Sequence, residues 1–140
     1  MNKEVYASKN SDDWKTPVFI YLQAMQKGYF DPCPFKANFN GLLISWPNKV
    51  FVNPPYSKLR QWVLKCIEES IKGKKVLLLI PARTDTKAFR AIFEYGANIK
   101  FVIGRLRFNE TKAAPFPSML VELTGKKTIC EIVERENIRI

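Results

Sequence analysis

The stretch Asn53-Pro54-Pro55-Tyr56 has the clearest capacity for chemistry in this chain. Two consecutive prolines stiffen the turn and donate no backbone hydrogen bonds. The Asn53 side-chain oxygen and the Pro54 carbonyl are left as acceptors for a single amino group. An amine on an aromatic ring, such as the exocyclic nitrogen of adenine, is a poor nucleophile because its lone pair is delocalised into the ring. Two fixed acceptors favour the pyramidal geometry that localises that pair, and no general base is then required. Preorganised groups of this kind contribute a few kcal/mol around an oxyanion, and acceptors around an amine are expected to act on a similar scale. Tyr56 would stack on the target ring. The plainer alternative for four residues is a rigid turn with a buried tyrosine.

Other chemistries are excluded by composition. The 140 residues contain no histidine, which rules out Ser-His-Asp and Cys-His catalysis and any His-ligated metal. Cys33, Cys66 and Cys130 are widely spaced and form no Cys-x-x-Cys pair, so neither structural zinc nor another metal is expected. Lys and Arg number 23 against 13 Asp and Glu, a formal charge of +10. Residues 32–67 hold five bases (Lys36, Lys49, Lys58, Arg60, Lys65) and no acid, and Lys100, Arg105 and Arg107 fall in a second acid-free stretch. Such a balance suggests a polyanionic partner, nucleic acid first, although for any one lysine a solvated surface is the commoner explanation.

The elements that must position the turn follow from periodicity. Pro17 suits a first helical turn, and Val18, Ile20, Tyr21, Leu22 and Met25 supply an apolar face before Gly28. Residues 29–31 read as a brief strand and 49–53 as another, stopped by the prolines. Ser57 is placed to cap a helix in which Leu59, Trp62, Val63, Cys66, Ile67 and Ile71 recur at three- and four-residue steps. The continuous apolar run 75–80 predicts a strand buried on both faces, Thr84 or Asp85 a cap for a helix to Tyr95, and 99–103 a further strand. Strands alternating with helices call for an α/β sheet with crossovers, and residues 118–123 and 128–133, flanking Thr124-Gly125-Lys126-Lys127, resemble an antiparallel hairpin at its edge. The Trp62 and Phe89 stripes are core. The length fits one domain over 1–140, no apolar run approaches the ~20 residues of a membrane helix, and residues 1–10 lack a signal-peptide centre, so a cytoplasmic protein without membrane contact is expected.

Seven blocks follow one another in register from residue 12 onward. They are Asp12-Asp13-Trp14-Lys15-Thr16-Pro17; Phe30-Asp31-Pro32-Cys33; Asn40-Gly41-Leu42 with Trp46; Val52-Asn53-Pro54-Pro55-Tyr56-Ser57; Pro81-Ala82-Arg83-Thr84-Asp85-Thr86-Lys87; Gly104-Arg105-Leu106-Arg107-Phe108; and Ala114-Pro115-Phe116-Pro117-Ser118. Together they resemble the phage and prophage DNA N-6-adenine methyltransferases (Dam-like). The resemblance implies a compact, abbreviated Rossmann-like methyltransferase sheet with helices on both faces, and an adenine-specific, site-specific DNA-methyltransferase that uses S-adenosylmethionine. It implies that Trp14, Thr16 and Pro17 contact the methionine end of the donor. Asp31-Pro32-Cys33 would be the acidic first motif, with Asp31 pairing with the donor ammonium. Asp-Pro also starts turns, which is the alternative for Asp31.

The chain departs from the wider methyltransferase pattern after that motif, where no glycine occurs before Gly41. Only residues 34–49 separate it from the Asn53 strand, enough for one crossover at most, and they offer no acid for the donor ribose. A shallow pocket, or one completed by a second copy or a partner chain, is the expectation. Extracting adenine from a duplex costs a few kcal/mol, which backbone contacts must offset. Lys58 and Arg60 directly after the turn, and Arg83, Arg105 and Arg107 after predicted strand ends, are the DNA-facing candidates. Arg105 and Arg107 could equally pair with Glu110 or Asp85, and residues 109–117 are the loop from which sequence specificity would come. Two other readings fit the same turn: a methyltransferase-like DNA-binding module without activity, and an amino-methyltransferase acting on RNA or a protein amide.

Overall fold

A computed structural model describes residues 15–107 and 112–140 of the protein. Helix α1 (Val18–Gln26) leads to strand β1 (Lys49–Val52), helix α2 (Leu59–Ile71), strand β2 (Lys75–Pro81), helix α3 (Lys87–Tyr95), and strands β3 (Ala97–Ile103), β4 (Ser118–Leu123) and β5 (Ile129–Glu134). The five strands form one mixed sheet in the order β1-β2-β4-β3-β5.

Connections dictate that order. Helical crossovers carry β1 to β2 and β2 to β3, so these strands run the same way. No helix lies between β3 and β4 among the described residues, and the chain re-enters from the edge at which β3 ended. β4 therefore runs antiparallel, pairing Ile80 with Met119 on one side and Ile99 with Val121 on the other.

The expected hairpin of residues 118–123 and 128–133 is not formed. β5 pairs in parallel with β3 (Ile99 with Cys130, Val102 with Val133) and does not touch β4 as a neighbour. The turn passes beneath the start of β3, where Thr124 and Gly125 N–H both donate to the Gly96 carbonyl at 3.0 Å and Thr128 Oγ1 accepts from Ala97 N–H at 3.2 Å. Gly96 has φ +113, and a Cβ there would lie 1.9 Å from the Lys126 carbonyl oxygen. A five-residue link spans two strand spacings, roughly 10 Å, and β3 offered the open edge.

Other expectations are adjusted in detail. The strand at 29–31 shrinks to a single parallel bridge between Phe30 and Val50, and the connector to β1 holds one 3-10 turn, Gly41–Leu43, in place of a crossover helix. Ser57 does not cap α2. The extended Pro55 (φ −66, ψ 139) feeds a 3-10 turn, Tyr56–Lys58, and the helix starts at Leu59. The cap of α3 is Thr86, which accepts from Phe89 N–H at 3.2 Å, rather than Thr84 or Asp85.

Strand alternation divides the core between the two sheet faces. Val50, Val52, Val76, Leu78, Ile80 and Val121 meet Trp62, Val63 and Cys66 of α2 and Ala88 and Ile92 of α3. Phe51, Leu77, Leu79 and Leu120 meet Ile20 and Ala24 of α1 and Ile138. β2 is buried on both faces apart from Lys75, as its unbroken apolar run requires. Gly41 packs against the Pro32 carbonyl and the Trp62 ring, and Trp46 Nε1 donates to the Gly41 carbonyl at 2.8 Å. These contacts fasten the connector to α2. No helix among the described residues is long and apolar enough to cross a membrane.

Candidate active site

Asn53 is the first residue after β1, at the carboxyl edge of the sheet, where open α/β folds place their ligands. The Phe30–Val50 bridge sets the chain entering Asp31 beside it, with Phe30 N–H donating to the Lys49 carbonyl and Phe51 N–H to the Phe30 carbonyl, both at 2.9 Å. One bridge is therefore enough to bring Asp31 and Asn53 to adjacent strand ends. Both line a cavity of about 390 Å³, together with Thr16, Cys33, Tyr21 and Phe35. That volume lies within the range of small-molecule sites, roughly 300–1,000 Å³.

A second, much smaller cavity of about 20 Å³ also borders Asn53 and is bounded by Tyr56, Leu106, Ala114, Phe116 and Ser118. Asn53 and Lys15 border both cavities. The Asn53 amide is oriented, because Nδ2 donates to Thr16 Oγ1 at 3.1 Å and Oδ1 is thereby turned the other way. In the turn itself the Pro55 carbonyl accepts from Lys58 N–H and the Tyr56 carbonyl from Leu59 N–H, while the Pro54 carbonyl takes no part in these bonds. The half-buried Tyr56 ring meets Phe116 edge-on, with centroids 4.9 Å apart and planes at 89°.

Of the residues expected at the donor, Thr16, Asp31 and Cys33 come together in the large cavity. Asp31 also makes a local turn, since its Oδ1 accepts from Cys33 N–H at 2.8 Å. Pro17 borders the small cavity instead, and Pro32 is buried beneath Gly41 and lines neither. Trp14, and residues 109–111 of the expected specificity loop, lie outside the described residues. Lys15, Tyr21, Phe35 and Phe116 were not singled out by sequence reasoning. Only Lys15 and Phe116 had a signal, falling inside blocks of the resemblance.

Lys58, Arg60, Arg83, Arg105 and Arg107 are all exposed, and all follow the carboxyl ends of β1, β2 or β3. The ion pairs among the described residues join Glu69 to Lys65, Lys72 and Lys74, Glu122 to Lys75, and Glu94 to Arg90. Lys58, Arg60, Arg83 and Arg105 take no part in them. Lys58 and Arg60 open α2 with no acid in its first turn, where cations are unfavourable for the helix itself and free N–H groups attract an anion. No group of three or more His, Cys, Asp or Glu among the described residues is placed to hold a metal ion.

Comparison with known proteins adds one match. A family model described as DNA N-6-adenine-methyltransferase (Dam) covers residues 4–128. No curated protein and no solved structure matches the chain.

Proposed function

The chain belongs to the DNA N-6-adenine-methyltransferase (Dam) family, and from that premise we propose that it transfers the methyl group of S-adenosylmethionine to the exocyclic amino nitrogen of adenine in DNA. The observation that carries this reading is that Asn53 borders both a cavity of about 390 Å³ and a slot walled by Tyr56 and Phe116. With the slot opened to admit the ring, an amine there and an electrophilic carbon in the cavity would meet at Asn53.

The larger cavity suits the donor by its chemistry as well as its size. Asp31 offers a carboxylate to an ammonium group, and Tyr21 and Phe35 offer apolar faces. The donor supplies a methyl group activated by a sulfonium. The chain's part is to prepare the nucleophile. Asn53 Oδ1 and the Pro54 carbonyl accept from the two N–H groups of the amine, draw its lone pair out of the ring and point it toward the cavity. The new N–C bond forms as the S–C bond breaks, and the extra proton passes to water, since neither acceptor is a base. Tyr56 holds the ring plane. Lys58, Arg60, Arg83, Arg105 and Arg107 engage phosphates around the opening, supplying affinity that offsets unstacking.

Transfer of a radioactive methyl group to duplex DNA tests this directly. The wild-type protein should label adenine, and Asn53→Ala should lose at least about 100-fold in rate while keeping its fold by circular dichroism, a loss of the size seen when one preorganised polar group is removed. Undiminished labelling by Asn53→Ala would refute the mechanism. Labelling of RNA or protein in preference to DNA would refute the substrate.

A further inference from the structure

Residues 129–140 lie beyond the stretch the family description covers, yet 129–134 are built into the sheet and the rest packs against it. β5 takes the free edge of β3, and Ile138 is buried in the α1-side core. The parallel register pairs Ile103 with Glu134, so the next residue, Arg135, arrives beside Gly104 at the carboxyl edge. Its guanidinium lies 3.8–3.9 Å from where a Gly104 Cβ would sit, and Nη1 donates to the Arg105 carbonyl at 3.0 Å. The segment that follows is fixed to α1, where Gln23 Nε2 donates to the Ile138 carbonyl and Gln23 Oε1 accepts from Ile140 N–H, both at 3.1 Å.

One N–H of five satisfies that carbonyl, and four remain. Arg135 takes part in no ion pair among the described residues, although Glu134 and Glu136 flank it in sequence. A positive charge is thus held half-buried and fixed, on the rim that carries Arg105. We propose that Arg135 is a DNA-backbone contact supplied by the segment outside the family-matched region, binding phosphate while it steadies the Arg105 turn. This rests on the reading of DNA as substrate.

The test compares wild type, Arg135→Gln, which keeps a donor for the Arg105 carbonyl but no charge, and Arg135→Lys, which keeps the charge. Binding to a fluorescent duplex is followed as a function of salt, and S-adenosylmethionine binding by calorimetry reports on the rest of the fold. Arg135→Gln should bind DNA about tenfold more weakly, with the slope of log K against log salt reduced by about 1, as for loss of one phosphate contact. Arg135→Lys should recover most of both, and donor binding should be unchanged in each. An unaltered affinity and slope in Arg135→Gln, or weaker binding with an unaltered slope, would overturn the phosphate contact. Wild-type protein that binds DNA but labels none would sink the proposed reaction and leave this comparison intact.

Discussion

Thr16 lines the larger cavity and also holds the Asn53 amide. An amide has two ends of nearly equal size, and only a hydrogen bond decides which faces a ligand. The 3.1 Å contact from Asn53 Nδ2 to Thr16 Oγ1 makes that decision. Thr16→Val conserves volume and removes the hydroxyl. It should lower the single-turnover methylation rate by roughly 10- to 100-fold, about 1.4–2.7 kcal/mol, with donor affinity changing far less, and Thr16→Ser should restore it. An equal fall in donor affinity would mean that Thr16 serves binding alone. The place of Asn53 at a strand end was legible in the sequence, because two prolines stop the strand there. The bond from Asn53 to Thr16 was not, since the partners lie 37 residues apart and no local pattern predicts such a pairing.

Among the elements, α2 and β2 were legible because their periods are unambiguous, apolar residues at three- and four-residue steps in one and an unbroken apolar run in the other. β5 was misread for a reason of the same kind. A glycine-containing turn between two apolar stretches is a local signal, whereas the open edge of β3 that captured β5 is a property of the assembled sheet. The connector before β1 shows what replaces a missing crossover: close packing of Gly41 on Pro32 and Trp62. A Cβ at Gly41 would fall 1.8 Å from the Pro32 carbonyl oxygen and 2.7 Å from the Trp62 ring. Gly41→Ala should therefore cost about 2–3 kcal/mol in urea unfolding, by overpacking. Because Pro32 adjoins Asp31 and Cys33, donor affinity should fall with it. A variant as stable as wild type would show that the connector yields freely.

Across the molecule the densest knot of paired charge lies near the amino-terminal edge, at Glu69, which is 2 % exposed and holds Lys65, Lys72 and Lys74. Burial alone would raise its carboxyl, but hydrogen bonds from Lys74 and Lys65, and their charges, outweigh burial and hold it below the ordinary value of 4.5. A depressed carboxyl stabilises the fold above its unfolded value and loses that contribution as pH falls through the folded one. Glu69→Gln should cost about 1.5–3 kcal/mol at neutral pH, the scale of hydrogen bonds to a charged group, and the gap to wild type should narrow below pH 4.5. A gap independent of pH would assign the loss to packing. At the carboxyl-terminal edge the positions of Lys58, Arg60, Arg83, Arg105 and Arg107 after strand ends were legible, but the arrival of Arg135 beside Arg105 emerged only from the assembled sheet. The slot beside Tyr56 and Phe116, at about 20 Å³, has room for one water and none for a purine. On the proposed reading, therefore, the adenine ring enters only if Tyr56 and Phe116 part, work that a nucleic acid held along its backbone can offset and a lone nucleoside cannot, so free adenine compounds should be poor substrates.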